Sequence, residues 1–157
     1  MKTAIIFYSF DGNCALLAEH LKTSLKADAF EIKTVAQKKR SGFAKFAWGL
    51  MMMLKKPAIQ PLSVDINAYE LIVLGAPVWG GAPASPFVSF LKGTVINGKN
   101  IAFFCSHGGG MGKIFEKFRS LLSGNTIVGE IEFNSPTKQD SAVIKEKLDE
   151  WVKTFRS

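Results

Sequence analysis

Apolar and polar residues alternate along the chain in blocks whose length and spacing predict strands separated by helices. Residues 3–8 form a continuous apolar run rich in β-branched and aromatic side chains, which is typical of a strand covered on both faces. Similar runs, one of them weaker and only partly alternating, predict four more strands. These strands span residues 29–35, 71–75, 100–105 and 127–133.

Between the strands, apolar residues recur at helical spacing. Leu17, Leu21 and Leu25 share one face of a first helix, a second helix is predicted from residue 85 to 91, and a third follows residue 112. A last amphipathic helix spans residues 140–155, with Asp140 or Ser141 as its N-cap. This alternation predicts an α/β fold, a three-layer sandwich in which helices cover both faces of a five-stranded parallel sheet. The expected strand order is 2-1-3-4-5.

Residues 37–61 interrupt the alternation with a basic insertion rich in Met and aromatic residues. Three interpretations of the insertion stay open. The first is a flap that shields a ligand or contacts a partner protein or a second subunit. The second is a short helix that lies on anionic lipid, and the third is a helix packed on the sheet with its lysines in water.

Length and composition favour one globular domain spanning residues 1–157, because 47% of the residues are hydrophobic. The first apolar run is too short for a signal peptide, and residues 43–54 are too few to span a bilayer, so we expect a cytoplasmic protein without an integral membrane segment. The two cysteines are expected to be reduced thiols. A formal net charge of +7 points to acidic partners or anionic surfaces.

Three unusual loops follow the first, third and fourth predicted strands. We define them as the first loop (residues 9–14), the second loop (76–83) and the third loop (106–112). In an open parallel sheet, ligands bind beyond the carboxyl ends of the strands where the strand order reverses. The order 2-1-3-4-5 makes these three loops neighbours at that point, so we expect one shared binding site.

The first loop reads Ser-Phe-Asp-Gly-Asn-Cys between a strand and a helix. This arrangement gathers free backbone N–H groups at the positive end of a helix dipole, where a phosphate can bind. Ser9 offers a hydroxyl, Gly12 permits close approach, and Asn13 can brace the loop. An ordinary strand-to-helix turn capped by Asn13 is the alternative. A dinucleotide-binding Gly-x-Gly-x-x-Gly, a P-loop and a Cys-x5-Arg phosphatase loop are all excluded by the residues present.

The second and third loops combine an indole with a backbone that carries few side chains. Trp79 lies on a Gly/Pro-rich segment and either stacks on a flat ligand ring or fills the edge of the core. The glycines of the third loop allow its backbone to lie against such a ring. His107 either donates to a carbonyl of the ring and stabilises negative charge there, or is a solvated loop histidine.

At these loops the sequence resembles the flavodoxin family. Members carry Ser-x-Thr-Gly-Asn-Thr after the first strand and Gly-x-Pro-x-Trp/Tyr after the third, which here read Ser-Phe-Asp-Gly-Asn-Cys and Gly-Ala-Pro-Val-Trp. Together with the third loop and the insertion, the resemblance is to a bacterial and archaeal branch of small flavodoxin-like proteins. It implies a flavodoxin-like fold, FMN as cofactor, and one- or two-electron transfer.

The candidate cofactor-binding residues all belong to the three loops. They are Ser9, Phe10, Asp11, Gly12, Asn13, Cys14, Pro77, Val78, Trp79, Gly80, Ser106, His107, Gly108, Gly109 and Gly112. Asp11 and Cys14 depart from the family pattern, because each stands where a Thr is usual. We interpret a carboxylate beside a phosphate as weakening FMN binding.

The leading hypothesis is an FMN-dependent redox protein, either an electron carrier or a small flavin-dependent reductase, that works with an acidic redox partner protein. No catalytic constellation or metal site is visible in the sequence. The alternative is a flavin-free binding module that acts through its basic surface. Nucleic acid is not expected as a partner, because aromatic and basic residues are not interleaved. A third hypothesis is a thiol switch at Cys14, whose pKa a helix N-terminus would lower.

Overall fold

Five parallel strands form the central sheet of the computed structural model, which describes residues 1–35, 42–44, 47 and 57–156. The strands are β1 (Thr3–Phe7), β2 (Asp28–Glu31), β3 (Leu71–Trp79), β5 (Asn100–His107) and β6 (Thr126–Asn134), and a two-residue strand, β4 (Ala82–Pro83), pairs antiparallel with β3. The spatial order is β2-β1-β3-β5-β6. The predicted five-stranded parallel sheet and its strand order are therefore confirmed. β4 was not expected from the sequence, because it is only two residues long.

In the stretches 1–35 and 57–156, four α-helices connect the strands and cover the sheet. They are α1 (Asn13–Leu25), α2 (Ser85–Gly93), α3 (Ile114–Leu121) and α4 (Ser141–Lys153). The connections also contain the single-turn 3₁₀ helices Ile66–Ala68 and Pro136–Lys138. Asp140 caps α4 by accepting a hydrogen bond from the Ala142 amide at 2.8 Å, as one of the two predicted caps.

Alternate residues of each strand face opposite layers of helices. Ile6 of β1 packs in the cluster that contains Phe87 of α2 and Phe118 of α3, whereas Ile5 packs with Leu21 of α1 and residues of α4. All five of these named side chains are fully buried. Burial of one such side chain contributes about 1.5–3 kcal/mol, so both faces of the sheet are held by apolar packing. The predicted three-layer sandwich is confirmed.

The second strand ends earlier than its pattern predicted. The Ile32 amide still donates to the Phe7 carbonyl at 2.7 Å, but Val35 then donates to the carbonyl of Ala58 at 3.0 Å. The Gln60 amide likewise donates to the Lys33 carbonyl at 2.7 Å. Residues 33–35 therefore pair with residues 58–60 instead of continuing along β1, and this pairing places Val35 beside Ala58.

The insertion predicted over residues 37–61 lies mainly outside the described residues. Its three interpretations therefore stay predictions. Within the part of the chain that the structure describes, the helices fall short of the length and apolarity that a bilayer span requires.

Candidate functional site

The sheet order brings the three loops to one edge of the fold. β1 pairs with β3 and β3 pairs with β5, so the segments that follow these strands are neighbours at their carboxyl ends. Direct contacts join the loops. The Phe10 ring of the first loop meets Trp79 of the second, and the Lys113 amide donates to the Gly81 carbonyl at 3.0 Å. The candidate site is therefore built from three connected loops.

The start of α1 holds part of the first loop in place. Gly12 is the N-cap with φ of 94°, a left-handed conformation that suits glycine, and the N-cap residue itself supplies no side-chain hydrogen bond. The Ser9 hydroxyl accepts a hydrogen bond from the Ala15 amide at 3.1 Å, which leaves its own hydrogen free to donate. In the described part of the chain, the amides of Gly12 and Cys14 have no acceptor. We call the Ser9 hydroxyl and these two amides the anion seat.

The amide of Asn13 lies between the two amides of the anion seat, and it is bonded by Asp11. Its carboxylate accepts a hydrogen bond from the Asn13 amide at 3.3 Å, and the side chain is exposed. A carboxylate at a helix N-terminus is favoured by the helix dipole. Any other anion bound at the start of α1 must therefore share that field with Asp11.

Asn13 braces the loop, as the sequence predicted, but against a segment that the sequence did not identify. Its side-chain oxygen accepts hydrogen bonds from the Thr137 amide at 3.0 Å and from the Thr137 hydroxyl at 2.9 Å. Thr137 lies in the 3₁₀ helix that follows β6. This pair ties the start of α1 to a distant part of the chain.

Cys14 points into the core, and its side chain is buried. Its sulfur lies 3.2 Å from the Ser106 hydroxyl, which is also buried. Burial raises the pKa of the Cys14 thiol to about 12, against the smaller opposing effect of the hydrogen bond with Ser106. The thiol-switch hypothesis required a lowered pKa, so the structure contradicts it. The Cys14 and Ser106 side chains instead connect α1 with β5.

The second loop is a hairpin rather than an open turn. β3 continues through Pro77 and Val78 to Trp79, and Gly80 and Gly81 form a two-residue turn with φ of 59° and 72°. Two consecutive residues with positive φ are the requirement of a type I′ hairpin turn, which glycine meets without strain. The chain then returns as β4.

Trp79 lies where the first and second loops meet. The indole is half-buried and makes edge-to-face contacts with Tyr8 at 5.8 Å and with Phe10 at 5.5 Å between ring centroids. It also packs at the margin of the apolar cluster between the sheet and α2. The indole is therefore partly a core residue and partly accessible, and both sequence interpretations of Trp79 stay open.

The third loop presents backbone to solvent and is fixed to the second loop at its far end. Gly108, Gly109 and Gly110 are exposed, and a Cβ added to any of them would meet nothing within 4 Å. Gly112, with φ of 55°, is so close to the hairpin that a Cβ there would lie 2.4 Å from the Cα of Gly81. The second and third loops therefore pack backbone to backbone.

His107 is neither solvated nor free to donate to a ligand in this structure. Only 9% of its side chain is exposed. Nδ1 accepts a hydrogen bond from the Gly110 amide at 2.9 Å, and Nε2 is in hydrogen-bond contact with a carboxylate oxygen of Glu132 on β6. The role of His107 as a direct ligand stays a prediction. Glu132 could not be found from the sequence, because nothing there pairs it with a residue 25 positions away.

The arrangement suits a ligand with a phosphate at one end and a flat polar ring at the other. The anion seat offers N–H and O–H donors, Gly12 has open space at the position of a Cβ, and the third loop offers exposed backbone beside an indole. The charge of Asp11 opposes the phosphate. Among the described residues, no group of His, Cys, Asp and Glu is placed to hold a metal ion.

Comparison with known proteins agrees with this geometry. The family model for flavodoxin matches residues 2–155. A comparison with curated proteins finds no match. Among solved structures, the chain is similar to a flavoprotein from Lactobacillus acidophilus NCFM in complex with FMN, with 25% identity and a TM-score of 0.72 over 96% of this chain and 97% of that one.

Two further structures extend the likeness. The apo-form of the flavoprotein from Lactobacillus acidophilus NCFM has 25% identity and a TM-score of 0.63 over 88% of this chain and 95% of that one. Oxidised Flavodoxin 2 from Bacillus cereus shares the fold, with 21% identity and a TM-score of 0.60 over 99% of this chain and 98% of that one. Since the family model spans nearly the whole chain and the fold agrees with it, this protein belongs to the flavodoxin family.

Proposed function

We propose that this protein binds FMN at the carboxyl edge of the sheet and carries electrons. FMN is the cofactor of the flavodoxin family, and the similar flavoprotein from Lactobacillus acidophilus NCFM was crystallised with it. The observation that carries the proposal is the anion seat at the start of α1, placed beside the indole of Trp79 and the exposed backbone of the third loop.

The residues of the three loops divide the work of binding. Ser9 and the amides of Gly12 and Cys14 hold the phosphate, as donors in the field of the helix dipole. Trp79 contacts one side of the flat ring, and the backbone of the third loop lies along its polar edge. FMN, when bound, takes up and gives up one or two electrons, and the protein supplies the dipoles that set its potential.

Electron transfer is favoured over catalysis on a specific substrate. The imidazole of His107 is engaged by Gly110 and Glu132, and the thiol of Cys14 is buried and holds its proton. In the described part of the site these groups are therefore occupied, so neither serves as a proton donor to a substrate. This supports an electron carrier ahead of a small reductase.

The charge distribution supports an acidic redox partner. Residues 36–56 contain six Lys and Arg residues and no Asp or Glu, whereas the rest of the chain has 14 basic and 13 acidic residues. The positive excess is thus concentrated in the insertion, where it would attract an acidic surface or a second subunit that carries one. A cytoplasmic location is part of this proposal, and the free thiols Cys14 and Cys105 agree with a reducing compartment.

Titration of the purified protein with FMN and with riboflavin tests the binding site. The fluorescence of both flavins should be quenched on binding, and FMN should bind more tightly than riboflavin because only FMN has a phosphate. Ser9→Ala should weaken FMN binding by about tenfold and leave riboflavin binding unchanged, since a charge-assisted hydrogen bond contributes about 1.5 kcal/mol. Ser24→Ala is the control, because this serine lies at the other end of α1 and its hydroxyl bonds Asp149.

A colourless protein that leaves FMN fluorescence unchanged would overturn the proposal and leave the flavin-free binding module in its place.

The electron-carrier role has a separate test. Spectroelectrochemical titration of the loaded protein should give midpoint potentials displaced from those of free FMN. Potentials equal to those of free FMN would contradict a site that tunes the cofactor.

A further inference from the structure

Both ring nitrogens of His107 make hydrogen bonds, one as an acceptor and the other as a donor. Because Nδ1 accepts from the Gly110 amide at 2.9 Å, the proton of the neutral ring is on Nε2, which donates to Glu132. The backbone carbonyl of His107 also accepts a hydrogen bond from the Ser135 amide at 2.8 Å. The side chain therefore connects the tip of the third loop to β6.

The glycines that follow His107 have no side chains with which to fix themselves. Gly108 to Gly110 are exposed, and no neighbour lies within 4 Å of the position that a Cβ would take. Glycine loses more backbone freedom on ordering than any other residue. The far end of the loop is anchored at Gly112 on the hairpin, and in the described part of the chain His107 supplies the anchor at the near end.

We propose that His107, oriented by Glu132, is a positioning residue that fixes the backbone of residues 108–110 in the conformation that receives the flavin ring. The inference rests on the proposed function. In this role the imidazole acts on the flavin through the loop, by its bonds to Gly110 and Glu132. It holds the loop in place before the flavin arrives, and thereby removes an ordering cost that would otherwise weaken binding.

Two substitutions separate the two hydrogen bonds of the ring. In His107→Asn, the side-chain oxygen takes approximately the place of Nδ1 and can accept the Gly110 amide, while the reach to Glu132 is lost. In His107→Gln, the side-chain amide keeps a donor for Glu132 and loses the acceptor near Gly110. His107→Leu removes both bonds. Glu132→Gln keeps an acceptor for Nε2 and removes only the charge.

The first readout is made on the apo protein. Hydrogen exchange at the Gly110 amide, followed by NMR, should be slow in the wild type and in His107→Asn, and at least about fivefold faster in His107→Gln and His107→Leu, since one hydrogen bond is lost. The amide of Lys113, which bonds Gly81, serves as the internal control and should not change. Equal exchange at Gly110 in all variants would overturn the proposal.

The second readout is flavin affinity. His107→Gln and His107→Leu should weaken FMN and riboflavin binding by the same factor, about fivefold or more, because the loop meets the ring and not the phosphate. His107→Asn should restore binding to within about twofold of the wild type. Loss confined to FMN, or no rescue by Asn at equal thermal stability, would overturn the proposal.

The two proposals fail in different ways. If the wild type binds no flavin, the proposed function fails, and the exchange of Gly110 still reports whether His107 holds the loop. If the wild type binds FMN and the His107 variants bind it equally well, the inference fails and the proposed function stands.

Discussion

Asp11 places a negative charge beside the anion seat, so Asp11→Asn should strengthen FMN binding. The asparagine side chain keeps an oxygen that can accept the Asn13 amide, as the carboxylate does at 3.3 Å. The turn at the start of α1 is therefore preserved. Only the charge is removed, and the change in affinity measures its repulsion of the phosphate.

The size of the effect follows from the position of the charge. An anion held by the amides on either side of Asn13 lies roughly 6 Å from the Asp11 carboxylate, given ordinary hydrogen-bond lengths. The carboxylate is exposed, so the dielectric constant of water applies, and repulsion of a phosphate dianion is about 1.4 kcal/mol. Screening at physiological salt reduces this to about half. We expect FMN affinity to rise about threefold at that salt and about tenfold at low salt.

Fluorescence titration at two salt concentrations measures this effect, with riboflavin as the ligand that lacks a phosphate. Asp65→Asn is the matched control. Asp65 is also exposed and accepts the amide two residues ahead, at Asn67, at 3.0 Å. Asp65→Asn changes the net charge by the same amount as Asp11→Asn but alters no residue of the three loops. Equal gains for Asp11→Asn and Asp65→Asn, or a gain for riboflavin as large as for FMN, would refute the local repulsion.

Three further predictions concern packing at the site and next to it. Gly112→Ala should lower the free energy of unfolding by about 2–4 kcal/mol and weaken FMN binding, because the new Cβ would lie 2.4 Å from the Gly81 Cα at a φ of 55°. Gly98→Ala is the control, since Gly98 has a φ of 67° and open space around it, and it should cost only about 1 kcal/mol in urea denaturation. Equal losses of stability in the two variants would contradict the packing argument. Burial raises the pKa of Cys14 and of Cys105 to about 12 each, so the folded state holds both thiol protons more tightly than the unfolded state does. Their contribution to the free energy of unfolding is therefore complete below the ordinary thiol pKa near 9, and it should fall as the pH rises from 9 toward 12. Replacement of both cysteines by Ala should flatten that fall in urea denaturation, and native-state iodoacetamide at pH 8 should label neither thiol; rapid labelling of Cys14 would contradict its burial.

Most of the architecture could be predicted from the sequence because the pattern of buried residues is periodic. Continuous apolar runs predicted four of the parallel strands, a partly alternating run predicted β2, and helical spacing predicted the covering helices. The bounds were less predictable. β3 runs on to Trp79 because the Gly80-Gly81 turn folds the chain back as β4, which gives Val78 and Trp79 a partner strand. β2 ends at Glu31 because the following residues pair with residues 58–60.

The candidate site was predictable at the level of loops and less so at the level of side chains. Strand order alone brings the three loops together. The partners of individual residues depend on long-range packing that no local pattern records. Asn13 bonds Thr137, Cys14 contacts Ser106, and His107 is held by Glu132. Each pair joins residues far apart in the chain, on elements that only the folded sheet places side by side.

The contact between Gly81 and Gly112 constrains how this edge of the fold can be re-engineered. With no side chains between the two backbones, neither loop can be lengthened or shortened at this point without moving the other. A graft of a longer segment into residues 108–111 would have to return to the same crossing, or carry a redesigned hairpin with it. Libraries that diversify flavin specificity should therefore vary both segments as one unit and keep the two glycines fixed.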